Sequence, residues 1–142
     1  MGISDKKQLT LFQEANVNPV SRLKAAMREA MRSGKLSREE IVDRMNELAR
    51  RDGLGDGRGK RITVAALDGW VAKTKGNLIP VGLLPCFCRV TGSLEPLRVL
   101  AACVGALVIS QEEALLLEAA RVEREQRRLA KRRRQLQALL EE

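Results

Sequence analysis

Cys86 and Cys88 form a Cys-x-Cys pair, and Cys103 adds a third thiol to a chain with no histidine. Thiols so spaced invite a metal or redox reading. A structural zinc site takes four ligands, however, and none of the usual imidazoles is available. All three cysteines lie in apolar stretches, so they read as small buried hydrophobes of a reducing compartment. The next candidate is Asp52 to Arg61, DGLGDGRGKR, with four glycines in ten residues. It lacks the Gly-Lys-Ser/Thr ending and the preceding strand of a nucleotide-binding loop, and reads as a flexible connector. No nucleophile stands beside a base, and no carboxylate pair has metal-ligand spacing. The chain is expected not to be an enzyme, with no catalytic residue, metal or cofactor.

The remaining chemistry is charge. Lys and Arg number 26 against 18 Asp and Glu, a formal net charge of +8. Such an excess favours a polyanion, because neutralised phosphates release their counterions. Aromatic residues make up only 2% of the chain, too few for the stacking platforms of a single-strand binder. A polyanion is therefore the expected partner, double-stranded DNA on the helix-turn-helix arrangement read below, with RNA differing only by substrate. The basic groups near its expected contact helix are Arg58, Lys60 and Arg61 in the glycine-rich loop, with Lys73 and Lys75 beyond the following segment. Arg127, Arg128, Lys131 and Arg132 form a second basic group near the C-terminus. No signal-peptide core follows Met1, and Lys6 stands where a myristoylation signal wants Ser or Thr. The longest apolar run, Val99 to Ile109, is far short of a membrane span. A cytoplasmic location is expected.

These groups need scaffolding, and the sequence supplies start and stop signals for an all-α chain. Residues 1–17 lack a helical period and read as a flexible N-terminal arm. Residues 18–109 read as a compact helical domain, and residues 110–142 as one long basic coiled-coil helix. Asn18-Pro19 opens a first helix, with Leu23, Met27, Ala30 and Met31 inward and Gly34 at its end. Arg22, Lys24, Arg28 and Arg32 occupy its other face, which reads as solvated. Ser37 and Glu40 make a capping box ahead of Ile41, Met45 and Leu48. Thr63 caps a third helix, TVAALDGWVAK, whose stripe is Val64, Leu67, Val71 and a core Trp70. A fourth runs from Pro80 to Gly92, kinked or delayed by Pro85, with Leu83, Leu84, Phe87 and Val90 inward. A fifth starts at Ser93, with Leu97, Leu100, Ala101 and Val104 inward.

The order SREEIVDRMNEL, ITVAALDGWVA, IPVGLLPCFCRVTGSLEPLRVLAACVG resembles the lambda-repressor-like helix-turn-helix regulators of phages and prophages. It is most similar to the phage regulatory protein CII family and its relatives in transposable prophages. Leu84-Pro85, Val90-Thr91-Gly92 and Leu97 carry the likeness, which covers about residues 37 to 120. The resemblance implies a transcriptional regulator in the host bacterium, associated with its nucleoid, in which Thr63 to Lys73 is the recognition helix. In such a motif the second helix presents its N-terminal part to base edges in the major groove. That part holds Thr63, Ala65, Ala66, Asp68 and Gly69. Thr63 or Ala65 would meet a thymine methyl, while Asp68 repels phosphate. The connector from Gly53 to Ile62 is longer than the usual three- or four-residue turn.

From Ser110 onward no Gly or Pro occurs, and Ser110 with Glu113 repeats the capping-box pattern. Leu115, Ala119, Val122, Gln126, Leu129, Arg133, Leu136 and Leu140 recur in alternating steps of four and three, a heptad seam. Gln126 and Arg133 fall on that seam, where polar groups cost stability but fix register. Eight basic residues lie between Arg121 and Arg134 against Glu123 and Glu125. The expectation is a dimeric, sequence-specific duplex-DNA regulator that pairs through this tail. The rival is an assembly factor whose tail binds a protein partner and whose nucleic-acid affinity is only nonspecific.

Overall fold

A computed structural model describes residues 17–54, 61–74 and 76–141. The described residues are helical and contain no strand. They form α1 (Val20–Ser33), α2 (Arg38–Arg51), α3 (Val64–Val71), α4 (Leu84–Thr91), α5 (Glu95–Ala102) and α6 (Gln111–Leu140). The chain divides into two compact units between Val108 and Ile109. Most of the N-terminal arm, residues 1–16, lies outside the described residues, as do Arg58, Lys60 and Lys75.

Local chemistry sets most of the helix ends. At α2 the Ser37 hydroxyl accepts from the Glu40 N–H while the Glu40 carboxylate accepts from the Ser37 N–H, completing the capping box. Gly53, with φ 69°, turns the chain out of α2, and the Leu54 N–H returns to the Ala49 carbonyl at 2.7 Å. That 6→1 bond is a Schellman closure, which needs the left-handed glycine. Thr63 caps α3 by accepting from the Ala66 N–H, and Ser110 caps α6 by accepting from the Glu113 N–H.

Three starts differ from expectation. Pro19 is the N-cap of α1, and Asn18 accepts instead from the Val20 N–H, two residues on. α4 begins at Leu84, because residues 81–83 form a turn and Pro85 takes the first helical turn, where its missing N–H costs nothing. α5 begins at Glu95 with Leu94 as N-cap and Pro96 in the first turn, while the Ser93 hydroxyl accepts from the Glu95 N–H.

The first unit packs α1 against α5 and α3, α2 against α4 and α3, and α4 on α5. Its core joins Leu23, Met27, Ile41, Met45, Leu67, Trp70, Leu84 and Phe87. α2 buries Val42 and Ala49 besides Ile41 and Met45, since it meets α3 on one side and α4 on the other. Val104 is no part of the core: α5 ends before it, and its side chain is 81% exposed.

The cysteines sit where apolar residues belong. Cys86 and Cys88 are buried in α4, and burial pushes both thiols up in pKa. Cys103 is half-buried, with Arg22 Nη2 3.4 Å from its sulfur. Among the described residues no group of three or more His, Cys, Asp and Glu could hold a metal ion. A thiol reagent should therefore modify Cys103 rapidly in the native protein, and Cys86 and Cys88 only on unfolding, since the thiolate is the reacting species. Mass-resolved labelling with and without urea checks this, and equal native rates at all three would contradict the packing.

Candidate nucleic-acid interface

α3 is only eight residues long and carries no basic residue in its last turn and no glycine at its C-cap, Ala72. Its terminal carbonyls need partners from elsewhere. α1 provides them. Lys24 Nζ donates to the carbonyls of Gly69 at 3.1 Å, Trp70 at 2.9 Å and Asn77 at 2.6 Å. Arg28 Nη1 donates to the Val71 carbonyl at 2.6 Å. Two cations thus lie at the negative end of the α3 dipole, the end that favours them.

Lys24 is a correction to the solvated-face reading of α1. The residue is 3% exposed, because its aliphatic stem runs inward and its ammonium reaches the end of α3. Burial, and then the neighbouring Arg28, hold its pKa below the ordinary lysine value. Arg22 and Arg32 do lie on the exposed side, and Arg28 is half-buried. The signal for this arrangement was the missing C-terminal cap of α3, not anything in α1.

The other end of α3 is fixed as firmly. Asn46 of α2 donates from Nδ2 to the Ile62 carbonyl at 2.9 Å and accepts at Oδ1 from the Ile62 N–H at 2.7 Å. This pair pins the chain where it leaves the glycine-rich loop and sets the point at which Thr63 starts the helix. Asn46→Ala should cost about 2 kcal/mol, since it leaves both Ile62 backbone groups without their partner. Urea unfolding of the full chain checks it; a change below about 0.5 kcal/mol would show that the bracket is dispensable.

The face of α3 left to solvent is narrow. Arg61, Thr63, Ala65 and Lys73 are exposed, and Asp68 and Ala72 are partly so. Ala65, Asp68 and Ala72 follow helical spacing and make one stripe. Ala66 and Gly69 do not belong to it: Ala66 packs against the core, and Gly69 is buried beside Asn77. Asp68 is paired with Arg38 at the start of α2, which offsets part of its charge on this face. An open cleft adjoins the stripe, lined by Met31, Leu36 and Val71 and rimmed by Arg28, Arg32 and Lys73.

α6 is described by itself. Thirty residues at ~1.5 Å rise make a rod of about 45 Å. All of its described side chains are exposed, including Leu115, Val122, Leu129, Leu136 and Leu140 on the seam. At 100° per residue, Arg121, Arg124, Arg127, Arg128, Lys131 and Arg134 turn away from the seam, while Arg132 flanks it and Arg133 falls on it. Arg127 pairs with Glu123 and Arg128 with Glu125, each at 2.7 Å along the helix. A largely apolar seam, interrupted by Gln126 and Arg133, and a basic outer face thus share one helix.

Comparisons with protein-family models, curated proteins and solved structures returned no match. Among the described residues, no helix is long and apolar enough to cross a membrane.

Proposed function

We propose that this protein is a sequence-specific, double-stranded-DNA-binding transcriptional regulator of phage or prophage type, acting as a dimer through α6. The observation that carries the reading is the mounting of α3. A short helix is held at its start by Asn46, at its end by Lys24 and Arg28, and along one side by the core. Its solvent side offers Thr63 and Ala65, with exposed Arg61 and Lys73 flanking the helix and Asp68 on the same stripe paired to Arg38. Rigid presentation of one helix is what groove reading requires, since phosphate contacts set register and base-edge contacts specify sequence. Small side chains at Thr63 and Ala65 let the helix backbone approach the groove floor. The basic face of α6 adds sequence-independent phosphate affinity.

A second reading rests on the exposed seam of α6. There the tail binds a different protein, the helical unit is a dock, and DNA affinity is nonspecific. Fluorescence anisotropy on duplexes flanking the coding region, with scrambled competitor at low and physiological salt, separates the two. The regulator requires one fragment whose binding survives competition at the higher salt. Binding that is weak and indifferent to sequence would overturn it and favour the assembly factor.

A further inference from the structure

We propose that α6 pairs with α6 of a second copy in antiparallel orientation, in the register that sets Gln126 against Leu129; this rests on the dimeric reading above and fixes its geometry. On the seam, Ala119, Gln126, Arg133 and Leu140 hold the a positions, and Leu115, Val122, Leu129 and Leu136 the d positions, from their alternating spacing. The positions flanking the seam follow: Leu116, Glu123, Ala130 and Gln137 on one side, and Glu118, Glu125, Arg132 and Leu139 on the other. Gln126, Leu129, Ala130 and Arg133 already outline a shallow groove on this face of the helix.

Charge decides the orientation. In a parallel pair each seam residue meets its own copy, so Arg133 faces Arg133 in the desolvated centre, and Glu118 flanks Glu123 of the second helix. No flanking pair then joins opposite charges, because Glu125 faces Ala130 and Arg132 faces Gln137. Like charges held together in a seam are strongly disfavoured.

The antiparallel register removes both conflicts. Its layers are Leu115 on Leu140, Ala119 on Leu136, Val122 on Arg133 and Gln126 on Leu129, each repeated by the twofold axis. Every layer then holds at least one aliphatic side chain, and small Ala119 meets large Leu136. Arg133 packs its stem on Val122 while its guanidinium reaches Glu123 of the second copy. Glu125 lies beside Arg132 of the second copy. Sliding one helix by a heptad sets Glu125 on Glu125 in one direction and Arg132 on Arg132 in the other. One register satisfies the seam and its flanks together, and it leaves Arg124, Arg127, Arg128 and Lys131 outward on both helices.

The test uses the full chain with Cys103→Ser, which removes the accessible thiol. Leu115→Cys and Leu140→Cys chains are oxidised separately and as a mixture. The proposal requires a covalent dimer joining the two variants in the mixture and little from either alone. A covalent homodimer of Leu115→Cys overturns the orientation while leaving the dimeric tail intact. A wild-type chain that sediments as a monomer at its highest soluble concentration overturns both. As a second readout, Glu125→Arg should raise the dimer Kd roughly tenfold, and adding Arg132→Glu should restore it. An unchanged Kd for Glu125→Arg contradicts the register, since only there does that residue face an opposite charge.

Discussion

Lys24→Met should lower the stability of the first unit by about 3 kcal/mol, the largest effect expected of any single substitution on its polar residues. The methionine keeps the apolar stem but strands the carbonyls of Gly69, Trp70 and Asn77, which Lys24 Nζ now serves. A hydrogen bond from a charged donor is worth about 1.5–3 kcal/mol, and the three share one ammonium, so the sum is well below three independent bonds. For a unit of this size the midpoint of thermal unfolding should fall by roughly 15 °C. Lys24→Arg should rescue only in part, because a planar fork cannot converge on three carbonyls as an ammonium does. Circular dichroism with urea titration of the full chain measures both variants. A loss below about 1 kcal/mol for Lys24→Met would mean that α3 does not depend on α1 for its closure. Because Lys24 touches the mounting of α3 and not its free face, sequence preference should fade in step with stability.

Neutralising the outer face of α6 should have the second large effect, on DNA affinity rather than folding. Arg127, Arg128 and Lys131 changed together to Gln should reduce the slope of log affinity against log salt by about 2.7 per chain, at ~0.9 for each phosphate no longer neutralised. Arg132 is left in place because it flanks the seam. Arg127 and Arg128 already pair with Glu123 and Glu125, so any phosphate contact would first have to break those pairs, and the observed change should fall somewhat short of the full value. The ratio of specific to scrambled binding should stay as it was, since phosphate contacts position without specifying. An unchanged salt slope would remove α6 from the DNA interface. Sedimentation of the same variant should still show a dimer, because none of the three lies on the seam.

What could be read from the residues alone is whatever depends on near neighbours. Ser37 with Glu40, Thr63, Gly53 and Gly92 marked helix ends within one or two residues of where the caps form. Their hydrogen bonds span three to five residues, so the chain carries both partners side by side. The long helix α6 was legible for the same reason, as was the burial of Cys86 and Cys88 in an apolar run. Prolines were harder: Pro19, Pro85 and Pro96 each stand beside a helix start, but whether such a residue serves as cap or first-turn residue shifts the boundary by one to four positions. The mounting of α3 belongs to tertiary structure. Lys24 and Trp70 are 46 residues apart, and Asn46 and Ile62 are 16 apart. Nothing local to Lys24 separates it from Arg22 or Arg32, which stay in solvent. Only when α1 and α3 pack does its ammonium find carbonyls that no other group can satisfy, and that unmet demand at a distant helix end draws a charged side chain inside.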